Sequence, residues 1–196
     1  MWKAPSLAKW LFAILVPLAL VLAGCEPRWL VVTQAQPNPF VNKTKYAAVA
    51  VSFDNVRVGK KTMEQYIADM KDDDKASFAA DRKAMNEEFL SSLVAAGERR
   101  GLAVEKDGTA EFVVKASVYF LEPGFYAVVA SKPSEVRMEV KLTDRDGKVL
   151  DAFKISVKVD TQNFGNVSSG ARFRQCAGLL GTLVAEYIDR RTVDEK

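Results

Sequence analysis

Three segments alternate apolar and polar side chains with a period of two, and nothing else in the chain limits its possible folds so strongly. Phe112, Val114, Ala116, Val118 and Phe120 oppose Lys115, Ser117 and Tyr119. Val136, Met138, Val140 and Leu142 oppose Arg137, Glu139 and Lys141, while Phe153, Ile155, Val157 and Val159 oppose Lys154, Ser156 and Lys158. Successive side chains of a strand point to opposite faces, so one polar side per strand predicts antiparallel strands covered on one face only. Asp144-Arg145-Asp146-Gly147 predicts a tight hairpin between the last two, with Gly147 at the positive φ. The same Asp-x-Asp-Gly order occurs in calcium loops, but between two strands a turn is the better account.

The apolar face needs a cover, and two long helical patterns supply one. From about Lys75 to Arg100, Phe78, Met85, Phe89, Leu93 and Ala96 recur at three- and four-residue steps, and Gly101 follows as a stop signal. From about Ala171 to Arg190, Phe173, Cys176, Leu180, Leu183 and Tyr187 form a second stripe. Gly178 and Gly181 interrupt that helix, which suits a close backbone approach, here expected to be to the sheet. Cys176 lies on the stripe and is expected to be an inert core thiol.

Tyr46 to Asp54 predicts a first strand, Thr62-Met63-Glu64-Gln65 a capping box opening a short helix, and Leu102-Ala103-Val104 a further strand before the turn Lys106-Asp107-Gly108. Asp72-Asp73-Asp74 lacks the glycine turn and distal glutamate of a calcium loop, and predicts a solvated break with Asp74 capping the next helix. The expected fold is α+β: a two-layer sandwich over residues 46–196, with two long helices on one face of a largely antiparallel sheet of about five strands.

Upstream of that domain the chain changes character. Lys3 and Lys9 precede an apolar run from Trp10 to Leu22, too short to remain in a bilayer as a spanning helix. The run closes on Leu22-Ala23-Gly24-Cys25, which resembles the lipobox of bacterial lipoproteins residue for residue. The resemblance implies that residues 1–24 are a signal peptide and that Cys25 becomes the first residue, carrying acyl chains. Glu26 rather than Asp follows, which by analogy implies the outer membrane, with the domain facing the periplasm. Several acyl chains on one residue make a stable anchor. Residues 25–45 hold Pro27, Pro37 and Pro39, which exclude a helix, and are expected to be a lipidated tether. Within it, Trp29-Leu30-Val31-Val32 suits either the membrane headgroups or an edge strand of the domain.

Composition then excludes several functions. Without Lys3 and Lys9 the net charge of +3 falls to +1, which argues against a nucleic-acid partner. Cys176 is left without a second cysteine to pair with. No histidine is present, which removes the commonest general base and most zinc chemistry; no catalytic residue, metal or cofactor is expected.

From Ala110 onward the chain resembles an uncharacterised family of bacterial lipoproteins. The likeness rests on Ser117-Val118-Tyr119-Phe120-Leu121-Glu122-Pro123-Gly124, on Glu139-Val140-Lys141-Leu142-Thr143-Asp144 with Gly147-Lys148-Val149-Leu150, and on the loop from Phe164-Gly165 to Ser168-Ser169-Gly170 before the final helix. Such domains are similar to the amino-terminal α/β domains of Tol-type translocation proteins and of the curli secretion lipoprotein. The resemblance implies no enzymatic activity.

Two surfaces are candidates for binding. Phe125, Tyr126, Val128 and Val129 stand between two strands, either exposed for a partner or membrane or extending the strands beneath a helix. Lys115, Arg137, Lys141, Lys154 and Lys158 share the polar sheet face with Glu139, and would suit anionic headgroups or acidic glycans if they are more than a solvated face. The expected function is a non-enzymatic outer-membrane lipoprotein, an accessory or assembly subunit of an envelope complex, bound to the membrane by its anchor and to envelope proteins by one of these surfaces. The alternative is a periplasmic carrier or binder of lipid or glycan.

Overall fold

In a computed structural model, residues 28–106, 109–127, 130–160 and 168–193 are described. The lipobox, Cys25, Val128, Val129 and most of the 161–170 loop lie outside them. The strands are β1 (Leu30–Thr33), β2 (Lys45–Ala48), β3 (Arg57–Val58), β4 (Lys61–Thr62), β5 (Ala103–Lys106), β6 (Phe112–Glu122), β7 (Phe125–Ala127), β8 (Ala130–Lys132), β9 (Ser134–Asp144) and β10 (Val149–Val159). The helices are α1 (Met63–Ala68), α2 (Asp72–Glu98) and α3 (Ser169–Thr192).

The α+β architecture stands, but the sheet is larger than five strands. Among the described residues it has eight, along the path β1-β10-β9-β6-β2-β5, with the short β3 beside β6 and β4 beside β3. The three alternating segments are its antiparallel centre, β6-β9-β10. β2 joins β6 and β5 in parallel, so the sheet is mixed. The expected strand 46–54 is interrupted: Lys45–Ala48 pairs with the start of β6, Ser52 bridges Ser117, and Arg57–Val58 pairs with its end. β7 and β8 form a separate two-stranded hairpin between β6 and β9.

A bulge in β6 between Val118 and Phe120 turns Phe120 to the outer face, opposite Arg137, and sends Leu121 into the core instead. Phe120 therefore leaves the apolar face that strict alternation assigned to it. The turn between β9 and β10 forms as expected: Gly147 has φ +87° and donates to Asp144 O at 3.1 Å, and Lys148 N donates to Asp144 Oδ1 at 2.9 Å.

α2 and α3 cover one face. Phe78, Met85, Phe89, Leu93 and Ala96 of the expected stripe are all buried, as are Phe173, Cys176, Leu180 and Tyr187; Leu183 is only half-buried. α3 has a second apolar stripe because it packs on α2 as well as on the sheet. A Cβ built on Gly181 would lie 2.4 Å from Phe89 O and 2.9 Å from Leu93 N, and one on Gly178 would meet Glu88 and Ser92. These glycines thus admit the neighbouring helix, not the sheet, because α3 turns its larger side chains to the strands. The Thr62–Gln65 capping box is present in both directions. Asp72, Asp73 and Asp74 form the first turn of α2 rather than a break before it, and Lys71 takes the cap position, so Asp74 caps nothing. Three carboxylates there favour the positive end of the helix.

The stretch expected as a tether is bound to the domain over its described part, 28–45. β1 pairs with β10, Phe40 is fully buried, and Ala35 N donates to Asp151 Oδ1 at 2.9 Å. Trp29 packs edge-on to Tyr187 at 5.4 Å between ring centres. The edge-strand alternative for Trp29–Val32 is therefore the one observed. Leu30, Val31 and Val32 nevertheless stay exposed, because β1 is the outermost strand of the sheet.

Candidate functional site

The five predicted cations are brought together. Lys115 on β6, Arg137 and Lys141 on β9, and Lys154 and Lys158 on β10 share the outer face, because each occupies the polar phase of an adjacent antiparallel strand. Two are neutralised by acids on that face: Arg137 Nε lies 2.7 Å from Glu135 Oε1, and Lys141 Nζ lies 3.3 Å from Glu139 Oε2. That hydrogen bond from Arg137 to Glu135 holds the guanidinium's pKa above its usual value. Lys115, Lys154 and Lys158 make no ion pair among the described residues, so the face keeps a positive excess.

Aromatic rings line the face beneath these charges. Arg137 stacks over Phe120 at 4.7 Å and Lys154 over Tyr119 at 5.6 Å. Burial raises the Tyr119 pKa, keeping its phenol neutral. At the β1 edge the face deepens into an open groove of about 380 Å³, lined by Arg28, Trp29, Leu30, Tyr119, Arg137 and Lys158 among others. Arg28, Trp29 and Leu30 belong to the stretch read as a tether. Their part in the site was missed because strand pairing between residues 30 and 154 carries no local signal.

The second candidate surface is the β7–β8 hairpin. Phe125 is 51% exposed and sits across from Lys132. β7 and β8 keep the register of β6 and β9 (Glu122 opposite Glu135, Phe125 opposite Lys132), so the described part of the segment prolongs those strands beyond Pro123-Gly124, and Phe125 is not covered by a helix. Its base is held firmly. Gly124 has φ +63°, and a Cβ there would lie 2.3 Å from Lys132 O, so only glycine fits. Lys132 Nζ reaches Glu122 Oε2 at 2.6 Å. Arg172, at the start of α3, is buried; its Nε donates to Ser134 Oγ at 2.7 Å and its Nη2 to Pro123 O at 3.0 Å. No sequence pattern marks Arg172, because an arginine in a helical first turn looks like a surface residue until the hairpin packs on it.

Two further polar groups are buried in the domain. Burial pushes the Cys176 thiol up to about 12, so it stays protonated against the Ser134 and Val157 carbonyls. Asp151, fully buried on β10, accepts from Tyr187 Oη at 2.7 Å and from Arg191 Nε at 2.8 Å. Among the described residues no three His, Cys, Asp or Glu side chains are placed to hold a metal ion, and no helix is long and apolar enough to cross a membrane.

No protein-family model and no curated protein matches the chain by sequence. In fold it is similar to protein XCC0632 of Xanthomonas campestris, a DUF330 protein, at 11% identity and a TM-score of 0.49, covering 83% of this chain and 94% of that one. It is also similar to the PelC dodecamer of Paraburkholderia phytofirmans, at 12% identity, a TM-score of 0.41 and coverage of 76% and 93%. Lipoprotein GNA1162 of Neisseria meningitidis is similar at 15% identity, a TM-score of 0.39 and coverage of 75% and 96%. These values describe a general likeness in the arrangement of strands and helices. The likeness is not specifically to Tol-type or curli-secretion proteins.

Proposed function

We propose that this protein is a lipid-anchored subunit of the cell envelope that works by binding rather than by catalysis. The acylated Cys25 holds it to the outer membrane on the periplasmic side, and the β7–β8 hairpin presents Phe125 to an envelope protein. The observation that carries this reading is an exposed aromatic on a hairpin whose base is clamped from three directions, by Gly124, by Lys132–Glu122 and by Arg172. A rigid aromatic loses little conformational freedom on binding, which is why such residues anchor interfaces.

Packing between helices and sheet weighs against the carrier alternative. Phe89, Leu93, Met138, Val140, Leu142, Phe153, Leu180 and Val184 are all essentially inaccessible and in one cluster, occupying the place where a lipid or glycan would have to enter. The test is affinity purification of the membrane-anchored protein beside its Phe125→Ala variant. Envelope proteins should co-purify with the first and be depleted with the second. Bound lipid or glycan with no protein partner would reject the reading. Replacing Cys25 by Ser should abolish palmitate labelling and release the chain from membranes.

A further inference from the structure

We infer that the groove between β1 and the outer sheet face is a seat for the anionic headgroup of a membrane lipid, so that the domain rests on its own bilayer by this face. The inference rests on the Cys25 anchor proposed above and adds where the domain touches the membrane.

Chain length makes the first argument. Arg28 lines the groove and is only three residues beyond Cys25, a span of at most about 10 Å even when fully extended. β1 runs antiparallel to β10 with Leu30 beside Lys154, so residues 29 and 28 lead along the groove towards Ser156, in the direction of Lys158. Arg28 is thereby held within about 10 Å of the surface that receives the acyl chains, a little over one Debye length of about 8 Å at physiological salt. At that range attraction between lysines and anionic lipid survives screening.

Charge makes the second argument. Arg28 is paired with Glu186 at 2.5 Å and Arg137 with Glu135 at 2.7 Å. Lys154 and Lys158 flank the groove along one strand and form no ion pair among the described residues, because the carboxylates opposite them on β9, Glu139 and Glu135, are engaged by Lys141 and Arg137. They stand about 13 Å apart along the strand, so a lipid phosphate at either one offsets part of this excess. Leu30, 64% exposed on the rim, offers the apolar contact that a glycerol backbone or upper acyl chain requires, and that a free anion does not.

After removal of residues 1–24 the chain keeps one tryptophan, Trp29, which lines this groove. The acylated protein is reconstituted in vesicles of phosphatidylcholine alone, or with about a third phosphatidylglycerol, and acrylamide quenching of Trp29 is measured. Anionic vesicles should roughly halve the quenching, high salt should restore it, and Lys154→Glu with Lys158→Glu should remove the difference. Lys148→Glu, in the turn at the other end of β10, should leave it intact. Both substituted strand lysines are exposed, so the double variant keeps the fold, and circular dichroism checks this. Equal quenching in both vesicle types, or a difference that survives the double substitution, overturns the inference. Protection by inorganic phosphate added to neutral vesicles would show a free-anion site and overturn the lipid assignment. Flotation separates the two readings: a chain that floats with Trp29 equally exposed refutes this inference alone, whereas one that fails to float lacks the anchor and refutes both.

Discussion

Helix α3 carries a buried arginine near each end, Arg172 and Arg191, about 29 Å apart along the helix axis. Both tie a peripheral segment to the domain, but with different partners. Arg191 meets the buried carboxylate of Asp151, which also accepts from Tyr187 and from Ala35 N, while Arg191 Nη2 donates to Ala35 O at 3.2 Å. A backbone bond from Asn42 N to Thr192 O, and a bond from the Asn38 side-chain Nδ2 to Arg191 O, fasten the same arm. Among the contacts Arg172 makes are a hydroxyl and a carbonyl, Ser134 Oγ and Pro123 O, at the hairpin base. A buried ion pair makes each partner costly to lose, and a single hydrogen bond to a hydroxyl or a carbonyl contributes less. The N-terminal arm is thus built into global stability, and the hairpin is held as a positioned appendage.

The largest effect should come from Asp151→Ala, which leaves Arg191 buried against no carboxylate of this cluster. Urea unfolding should show a loss of about 3–5 kcal/mol. Asp151→Leu combined with Arg191→Met should recover much of it, since an apolar pair of similar size carries no stranded charge. A cost for Asp151→Ala below about 1 kcal/mol would break the contrast between the two ends.

Arg172→Met should cost about 1–3 kcal/mol, with hydrogen exchange accelerating over 122–134 and little change over 28–42. Asp151→Ala should show the reverse distribution. If both variants loosen the whole domain equally, the hairpin is not a separable appendage. Between the two ends, Gly181→Ala drives a methyl group against Phe89 O and should cost about 1–3 kcal/mol with both clamps intact.

The smallest effect concerns acid. Burial works to raise the Glu186 pKa, but hydrogen bonds from Arg190 and Arg28 outweigh it and hold the carboxyl below its usual range. A depressed folded pKa contributes stability that is present above the unfolded value and lost as pH falls through the folded one. The Arg28–Glu186 contact should therefore weaken below the ordinary carboxylate range, a change of under about 1 kcal/mol at this exposed arginine. Trp29 fluorescence should report it, and Glu186→Gln should abolish that step while leaving the Asp151 cluster in place.

These contrasts show which parts of the molecule were legible in its residues alone. The central strands β6, β9 and β10, the Gly147 turn, the Thr62 cap, both long helices and the cationic face followed from periods of two and 3.6, because side-chain direction in regular structure is a local property. The buried core positions of α2 followed for the same reason. Long-range pairing decided the rest. Which strand accepts residues 30–33, where β6 bulges and turns Phe120 outward, and which element meets Gly178 and Gly181 depend on contacts between residues far apart in the chain. Arg172 and Asp151 are the clearest cases. Each is a charged residue that reads as solvent-exposed in isolation, and each is buried because folding brings its partners from elsewhere, 38 residues away for Ser134 and 40 for Arg191. Amino-acid order determined which faces are apolar; only the tertiary structure decided which polar groups could afford to join them, because a buried charge is stable only where distant partners converge on it.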